Sequence, residues 1–225
     1  MGLANVAGEE QMTLPTLSPE EALIFRITHR DNLPWILHHG LFAKSSQVLD
    51  PNFRKIGDLD LIDKRSRHPV PAGPRGTLGG YIPFYFTPFS IMMYKINTGH
   101  GGIQHVPNEE LVILVSSLFD VLRCNAQFVF TDRHAYLATA QYFADLAHLG
   151  QIDWPLLRSR NFKHDPEHPE RIDRYQAEAL IWEHLPVEAL VEICTSSVDG
   201  QREVQDQLDQ RGLGIKATIR RDWYF

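Results

Sequence analysis

The residues best suited to chemistry lie in Arg174-Tyr175-Gln176-Ala177-Glu178-Ala179-Leu180-Ile181-Trp182. Between Ala177 and Trp182 the only ionisable side chain is Glu178, which opens an otherwise apolar run that reads as a buried strand. A carboxylate at the mouth of such a strand is costly unless it is paired, solvated or used. The bland alternative is a strand-edge glutamate facing water. A second group lies upstream, where 59–67 has the pattern of a helical turn carrying Asp63, Lys64, Arg65 and Arg67. That basic cluster suits a phosphate or a carboxylate, or else it is a solvated charged face. A third is Tyr81 to Ser90, with five aromatic rings in ten residues. If alternate rings face outward they offer a stacking platform worth about 1–3 kcal/mol per base; otherwise they are core. Asp132-Arg133-His134 and the group Arg158, Arg160, Lys163 and His164 complete the set of candidate polar contacts.

Other chemistries are excluded by what is missing. No GxSxG occurs, and Ser116-Ser117 lies in a strand-to-helix bend without the glycines of a nucleophile elbow. His164 and His168 have ligand-like spacing, but Pro166 and Pro169 forbid the helix that would align them, so no metal is expected. With neither GxGxxG nor GxxxxGK[ST], any nucleotide must be held in another way. Cys124 and Cys194 are too few and too far apart for a zinc site or a disulfide framework.

The elements that must position these groups follow from periodicity. Leu23 to His29 reads as a strand, with Arg26 and Thr28 on one face, and 31–40 as a short helix ending at Gly40. From Leu41 to Gly80 runs a long loop, of the kind that in a compact domain carries function. Strands are expected at Tyr81–Ser90, Leu111–Val115, Phe128–Thr131, from Glu178, at Val191–Thr195 and at Lys216–Ile219. Helical pieces are expected around Met92–Tyr94, at Leu118–Arg123, Ala135–Leu149 and Val204–Gln210, with His134 at the N-terminus of the third. This is a mixed α and β pattern in one domain over 19–225, after a flexible leader over 1–18. The 225 residues can bury a core without disulfides. A net charge of −6 argues against a protein that coats nucleic acid non-specifically, while leaving room for a local basic groove. No apolar run reaches the length of a membrane span and no secretory signal opens the chain, so a cytoplasmic protein is expected.

Taken together, Ile27-Thr28-His29-Arg30-Asp31-Asn32-Leu33, Pro69-Val70-Pro71 with Gly76, the run from Ile82 to Pro88 (IPFYFTP), the run from Phe128 to His134 (FVFTDRH), Gln151-Ile152-Asp153-Trp154, Gln176-Ala177-Glu178 and Asp222-Trp223-Tyr224-Phe225 resemble DarT, the DNA-modifying toxin family of DarT–DarG toxin–antitoxin pairs. The blocks run in order from about residue 23 to the C-terminus. The resemblance implies an α+β ADP-ribosyltransferase fold, a central split mixed β-sheet flanked by helices. It also implies transfer of ADP-ribose from NAD+ to thymidine in single-stranded DNA, which would block replication. By the same resemblance Glu178 and Arg65 are catalytic. Arg26, Ile27, Thr28, Asn32, Trp35, Ala43 and Arg65 would hold NAD+, and Tyr85, Phe86, Thr87, Phe89, Ser90, His134, Arg158, Arg160 and Lys163 would meet DNA. The chain departs from the family at Arg26, where many members have His. A monomer opposed by a macrodomain antitoxin of the DarG type is the expected setting.

The residue types agree with this chemistry on their own terms. Breaking the nicotinamide–ribose bond generates an oxocarbenium-like sugar, which a nearby carboxylate stabilises by charge and by accepting from the 2′-hydroxyl. Arg65 would hold an oxygen of NAD+ and favour the deprotonated thymine N3. Two alternatives stay open at this level: another acceptor (guanine, RNA, protein or water), and a catalytically silent nucleic-acid-binding module.

Overall fold

Ten strands and seven helices are laid down along the chain in the computed structural model, which describes residues 16–225. The strands are β1 (Leu23–His29), β2 (Leu41–Phe42), β3 (Tyr81–Tyr85), β4 (Leu111–Ser117) and β5 (Phe128–Thr131), then β6 (Tyr142–Phe143), β7 (Glu178–Trp182), β8 (His184–Leu185), β9 (Glu192–Thr195) and β10 (Lys216–Ile219). The helices are α1 (Leu33–His39), α2 (Leu59–Ser66), α3 (Ile91–Thr98), α4 (Leu118–Arg123), α5 (Trp154–Ser159), α6 (Arg171–Arg174) and α7 (Val198–Gln210). The expected leader falls, over 1–15, outside the described residues.

Eight strands form one mixed sheet in the order β10-β9-β4-β1-β3-β7-β5-β6, and β2 pairs with β8 beside it. β4 is buried along its whole length, which is why its apolar run is unbroken rather than alternating. Antiparallel to it, β1 pairs from end to end, Leu23 opposite Ser117 through His29 opposite Leu111. On its other side β1 meets β3 at one register pair, Phe25 opposite Tyr85. That junction is the split in the sheet. β3 pairs fully with β7, Tyr81 opposite Trp182 and Tyr85 opposite Glu178, so Glu178 enters the sheet at the split.

The main core gathers Ile24, Phe25, Phe84 and Ile113 from the sheet and Trp223 from the C-terminal 3-10 turn with Leu33, Ile36 and Leu208 from α1 and α7. A smaller cluster of Val70, Leu78, Tyr81, Val129, Ala135 and Leu180 fixes the Pro/Gly-rich loop against β3, β5 and β7.

Three expectations are corrected. The strand expected from Tyr81 to Ser90 stops at Tyr85, because Ser90 turns away to cap α3, its Oγ accepting from the Met93 N–H at 3.1 Å. The helix expected over Ala135–Leu149 does not form. Its backbone groups are engaged elsewhere: the Ala135 N–H by Glu178, the Gln141 N–H by Asp132, the Ala135 carbonyl by the Tyr142 hydroxyl. The stretch becomes turns, the short β6 and a 3-10 segment, Leu146–Gln151, so His134 stands at no helix terminus. Finally, α7 begins six residues earlier than the apolar spacing indicates, at a Ser197 cap that accepts from the Gly200 N–H.

Candidate active site

As the first residue of β7, Glu178 is carried wholly out of water, which overturns the reading of an edge glutamate. Its Oε2 accepts from Arg65 Nη2 at 2.5 Å and its Oε1 from the Ala135 N–H at 2.9 Å. Its own N–H donates to Thr131 Oγ1 at 3.3 Å. Burial alone would raise this carboxyl. The Arg65 charge, with these hydrogen bonds, outweighs burial and holds it below the usual carboxylate range. Glu178 is therefore an ionised, desolvated carboxylate with fixed partners. On the Arg65 side burial pulls downward and Glu178 pushes the guanidinium above its ordinary value.

Arg65 reaches this point from a helix with little hold of its own. No residue of α2 is buried. Asp58 caps it by accepting from the Leu61 N–H at 2.9 Å, and Ser66 Oγ donates to the Asp63 carbonyl. Its last turn lies on the backbone of Gly79, where an added Cβ would stand 2.7 Å from the Ser66 carbonyl oxygen. Of the basic cluster, Arg65 alone turns inward: Lys64 is exposed, and Arg67, like Lys44 from outside the helix, pairs with Asp63 on the surface. Replacing Gly79 with Ala is expected to lift the end of α2 and displace Arg65. A shift on the order of 1 Å would cost about 10²-fold in transfer rate, measurable as initial velocity, and because it stretches the Arg65–Glu178 pair the melting temperature should fall with it.

Around the pair stand three further groups. Tyr85, opposite Glu178 in the sheet, has its phenol pushed up to about 12 by burial and by the Glu178 charge, so it stays neutral. Tyr142 is likewise pushed up to about 12, again by burial and then by Glu178. His134 Nδ1 lies 3.9 Å from Glu178 Oε1, but it accepts from the Tyr136 N–H at 3.2 Å. Burial lowers this imidazole, and a neutral ring with Nδ1 so occupied carries its proton on Nε2.

The other expected cofactor residues run from β1 through the following 3-10 turn and α1 to Ala43, just after β2. Arg26 Nη1 donates to the Pro83 carbonyl at 2.7 Å, tying β1 to β3 at the split. Asn32 is wholly buried: its Nδ2 donates to Thr28 Oγ1 at 3.0 Å and to the Arg54 carbonyl at 2.9 Å, and its Oδ1 accepts from the Arg54 N–H at 2.8 Å. It thereby pins the long loop to β1. An N32A variant is expected to lose about 2 kcal/mol of stability through the orphaned Arg54 backbone, read by urea unfolding. Ile27 packs on the core. Trp35 lies against His39 and Phe42, and the Ala43 N–H donates to the Glu183 carbonyl.

The expected DNA residues are less uniform. Tyr85 and His134 share the Glu178 cluster. Phe86 is fully buried against Phe130 and Trp154, so its ring belongs to the core rather than to an open platform. Thr87 Oγ1 accepts from the Phe89 N–H, and Ser90 caps α3. Phe89 lies between Phe225, centroids 4.1 Å apart, and the Arg160 guanidinium. Arg160 also pairs with Asp222, and Arg158 donates to the Leu17 carbonyl, which commits both to the chain itself. Lys163 stays exposed. Sequence reasoning missed the Ala135 N–H, Thr131, Tyr142 and Gly79. A backbone donor has no side-chain signature, and Tyr142 was concealed by the expected helix.

A family described as ssDNA thymidine ADP-ribosyltransferase, DarT, matches residues 25–225. A DNA ADP-ribosyl transferase of Escherichia coli O127:H6 (strain E2348/69 / EPEC) is 50% identical over 210 residues, 93% of this chain and 96% of that protein. Thermus sp. 2.9 DarT in complex with ADP-ribosylated ssDNA is similar with a TM-score of 0.83 at 35% identity, over 92% of this chain and 98% of that one. The same Thermus protein in complex with NAD+ gives a TM-score of 0.80 at 35% identity, over 92% and 99%.

Proposed function

Because this chain belongs to the DarT family of NAD-dependent DNA ADP-ribosyltransferases, we propose that it is a toxin that moves ADP-ribose from NAD+ to N3 of a thymine in a short single-stranded DNA motif, releasing nicotinamide and blocking replication. The observation that carries the reading is Glu178, buried, ionised and paired with Arg65 at the split of the sheet. A Thermus relative binds NAD+, and the same protein binds ADP-ribosylated single-stranded DNA.

In this reading Glu178 accepts from the ribose 2′-hydroxyl and offsets the positive charge that develops at the anomeric carbon. Arg65 keeps that carboxylate ionised and lends a donor to NAD+. Arg26, Ile27, Thr28, Asn32, Trp35 and Ala43 form the wall along which the nicotinamide end lies. Tyr85 presents a neutral ring to the acceptor base, and His134 presents its Nε2–H to a base carbonyl or a phosphate. Few cationic contacts to DNA are needed, which accords with a net charge of −6 and predicts salt-sensitive binding to a short site.

No helix among the described residues is long and apolar enough to cross a membrane, and we assign the protein to the cytoplasm as a monomer opposed by a macrodomain antitoxin. The test is mass spectrometry of single-stranded oligonucleotides, with and without thymine, after incubation with NAD+. An ADP-ribose adduct confined to thymine supports the reading. Nicotinamide release without a DNA adduct would move the acceptor elsewhere, and neither product would leave a silent binding module.

A further inference from the structure

The peptide between Ala135 and Tyr136 is held at both ends. The Tyr142 hydroxyl donates to its carbonyl, on Ala135, and its N–H, on Tyr136, donates to His134 Nδ1 at 3.2 Å. Tyr142 is fixed in place for this. It stands opposite Thr131 in the β5–β6 ladder, its ring packs on the small cluster that contains Ala135, and the Gln141 N–H before it is tied to Asp132 Oδ1 at 2.9 Å. Burial and the Glu178 charge push its phenol up to about 12, so the hydroxyl keeps the proton it donates. His134 needs such a hold. Its side chain is 12% exposed, and its Nδ1 lies 3.9 Å from Glu178 Oε1. An imidazole nitrogen beside a carboxylate commonly carries the proton and donates it to the oxygen. In that tautomer Nε2 would be a bare acceptor, and Glu178 would accept from His134 as well as from the Ala135 N–H, which already lies 2.9 Å from Oε1.

We infer that Tyr142 is a positioning residue: through the Ala135–Tyr136 peptide it fixes His134 as an Nε2–H donor and keeps the imidazole off Glu178. The use of that donor on the acceptor base rests on the transfer proposed above. The Tyr136 N–H can hold Nδ1 only while Nδ1 offers a lone pair, so the ring must carry its proton on Nε2. A carbonyl that accepts from a phenol polarises its peptide, and the N–H at the other end becomes a stronger donor. One hydroxyl thereby works against the pull of the carboxylate on Nδ1. Besides Glu178, the charged groups around the ring are Arg65 from α2, Asp173 from α6 and Lys95 from α3, while Tyr142 itself faces Glu178, Arg65 and Tyr81 from β3. Among the described residues none of these bonds to the ring or to this peptide, and Tyr142 does.

The experiment is nitrogen NMR of the full chain, isotopically labelled at histidine, for wild type and Y142F, with adduct formation and melting temperature recorded for both. The chain has eleven histidines, so the His134 signals are assigned by their loss in H134Q. Y142F keeps the ring and removes only the donor. Wild type is expected to show His134 with its proton on Nε2 and a bare Nδ1 at neutral pH. In Y142F the proton should move toward Nδ1, and the ring should take up its second proton at a higher pH than in wild type, because Nδ1 is less firmly held. At saturating NAD+ and thymine oligonucleotide the rate should fall about tenfold, the effect of one hydrogen bond lost from the transition state, with the KM for NAD+ unchanged. A Tyr142 that only fills the edge of the sheet would lower the melting temperature and leave the His134 signals where they were, and that result overturns the inference. So does a wild-type ring that carries its proton on Nδ1, which decides the matter even if Y142F fails to fold. The nitrogen signals need no turnover. A wild type that makes no thymine adduct, yet shows the shift in Y142F, would remove the proposed transfer and leave the hold of Tyr142 on His134 standing.

Discussion

An E178Q variant is expected to form thymine adduct at least about 10³-fold more slowly than wild type at neutral pH, the loss typical of removing a preorganised electrostatic partner of a transition state. Glutamine keeps the shape and can still accept from the Ala135 N–H, so β7 and its pairing with β3 are retained. What disappears is the negative charge. The amide that replaces Oε2 also turns a donor toward Arg65 Nη2, which now lacks an acceptor. The readout is initial rate by mass spectrometry beside a thermal melt, so lost catalysis can be separated from a lost fold. A rate within about tenfold of wild type would mean that the carboxylate charge is not used in the reaction.

The same residue sets a pH signature. Glu178 is held below its ordinary value in the folded protein, so the unfolded chain takes up a proton first as the pH falls. The stability contributed by its ionised form is complete above the unfolded value of about 4.3 and drains away as the pH drops toward the depressed folded value. E178Q should flatten that part of the melting-temperature profile. It also follows that any loss of wild-type rate between pH 7 and 5 comes from another group, either the acceptor imide or His134, whose imidazole burial holds below its ordinary value.

The sequence shows its chemistry where cost is visible in residue type. Glu178 stands out because nothing else in its strand is ionisable, and the turn holding Arg65 because it clusters cations before a Pro/Gly-rich loop. The β1 and β4 strands are equally plain, since a branched or apolar run has few other fates. What stays hidden is decided by the backbone. The Ala135 N–H carries no mark of its use, and the Ala-rich stretch after it has real helical spacing. It is denied a helix by acceptors at Asp132 and Glu178, 9 and 43 residues away from their donors. Gly79 likewise reads as one more loop glycine until α2 is seen resting on it. Phe86 shows the converse: an aromatic in a conspicuous run turned into the core by Phe130 and Trp154, partners far away in sequence.

Removing the other half of the pair should be worse for the fold than removing Glu178. In R65A the carboxylate remains, wholly buried, with the Ala135 N–H as its main remaining donor. Breaking a buried pair from one side costs about 3–5 kcal/mol, which in a domain of this size lowers the melting temperature by roughly 10 °C. Helix α2 suffers as well, because Arg65 is its one inward anchor. Burial, the largest influence on Glu178, is then opposed by less, and the carboxyl shifts upward toward its neutral form. At neutral pH the variant should lose about 10³-fold or more in rate, and its residual rate should climb with pH as Glu178 ionises. The double variant R65A/E178Q separates the fold from the chemistry. It should be as inactive as either single variant yet melt above R65A, because the stranded charge is gone. If R65A melted with wild type, or the double variant melted no higher than R65A, the ion pair would not be what holds α2 and Glu178 together, and the basis for an ionised Glu178 would have to be sought in Ala135 and His134.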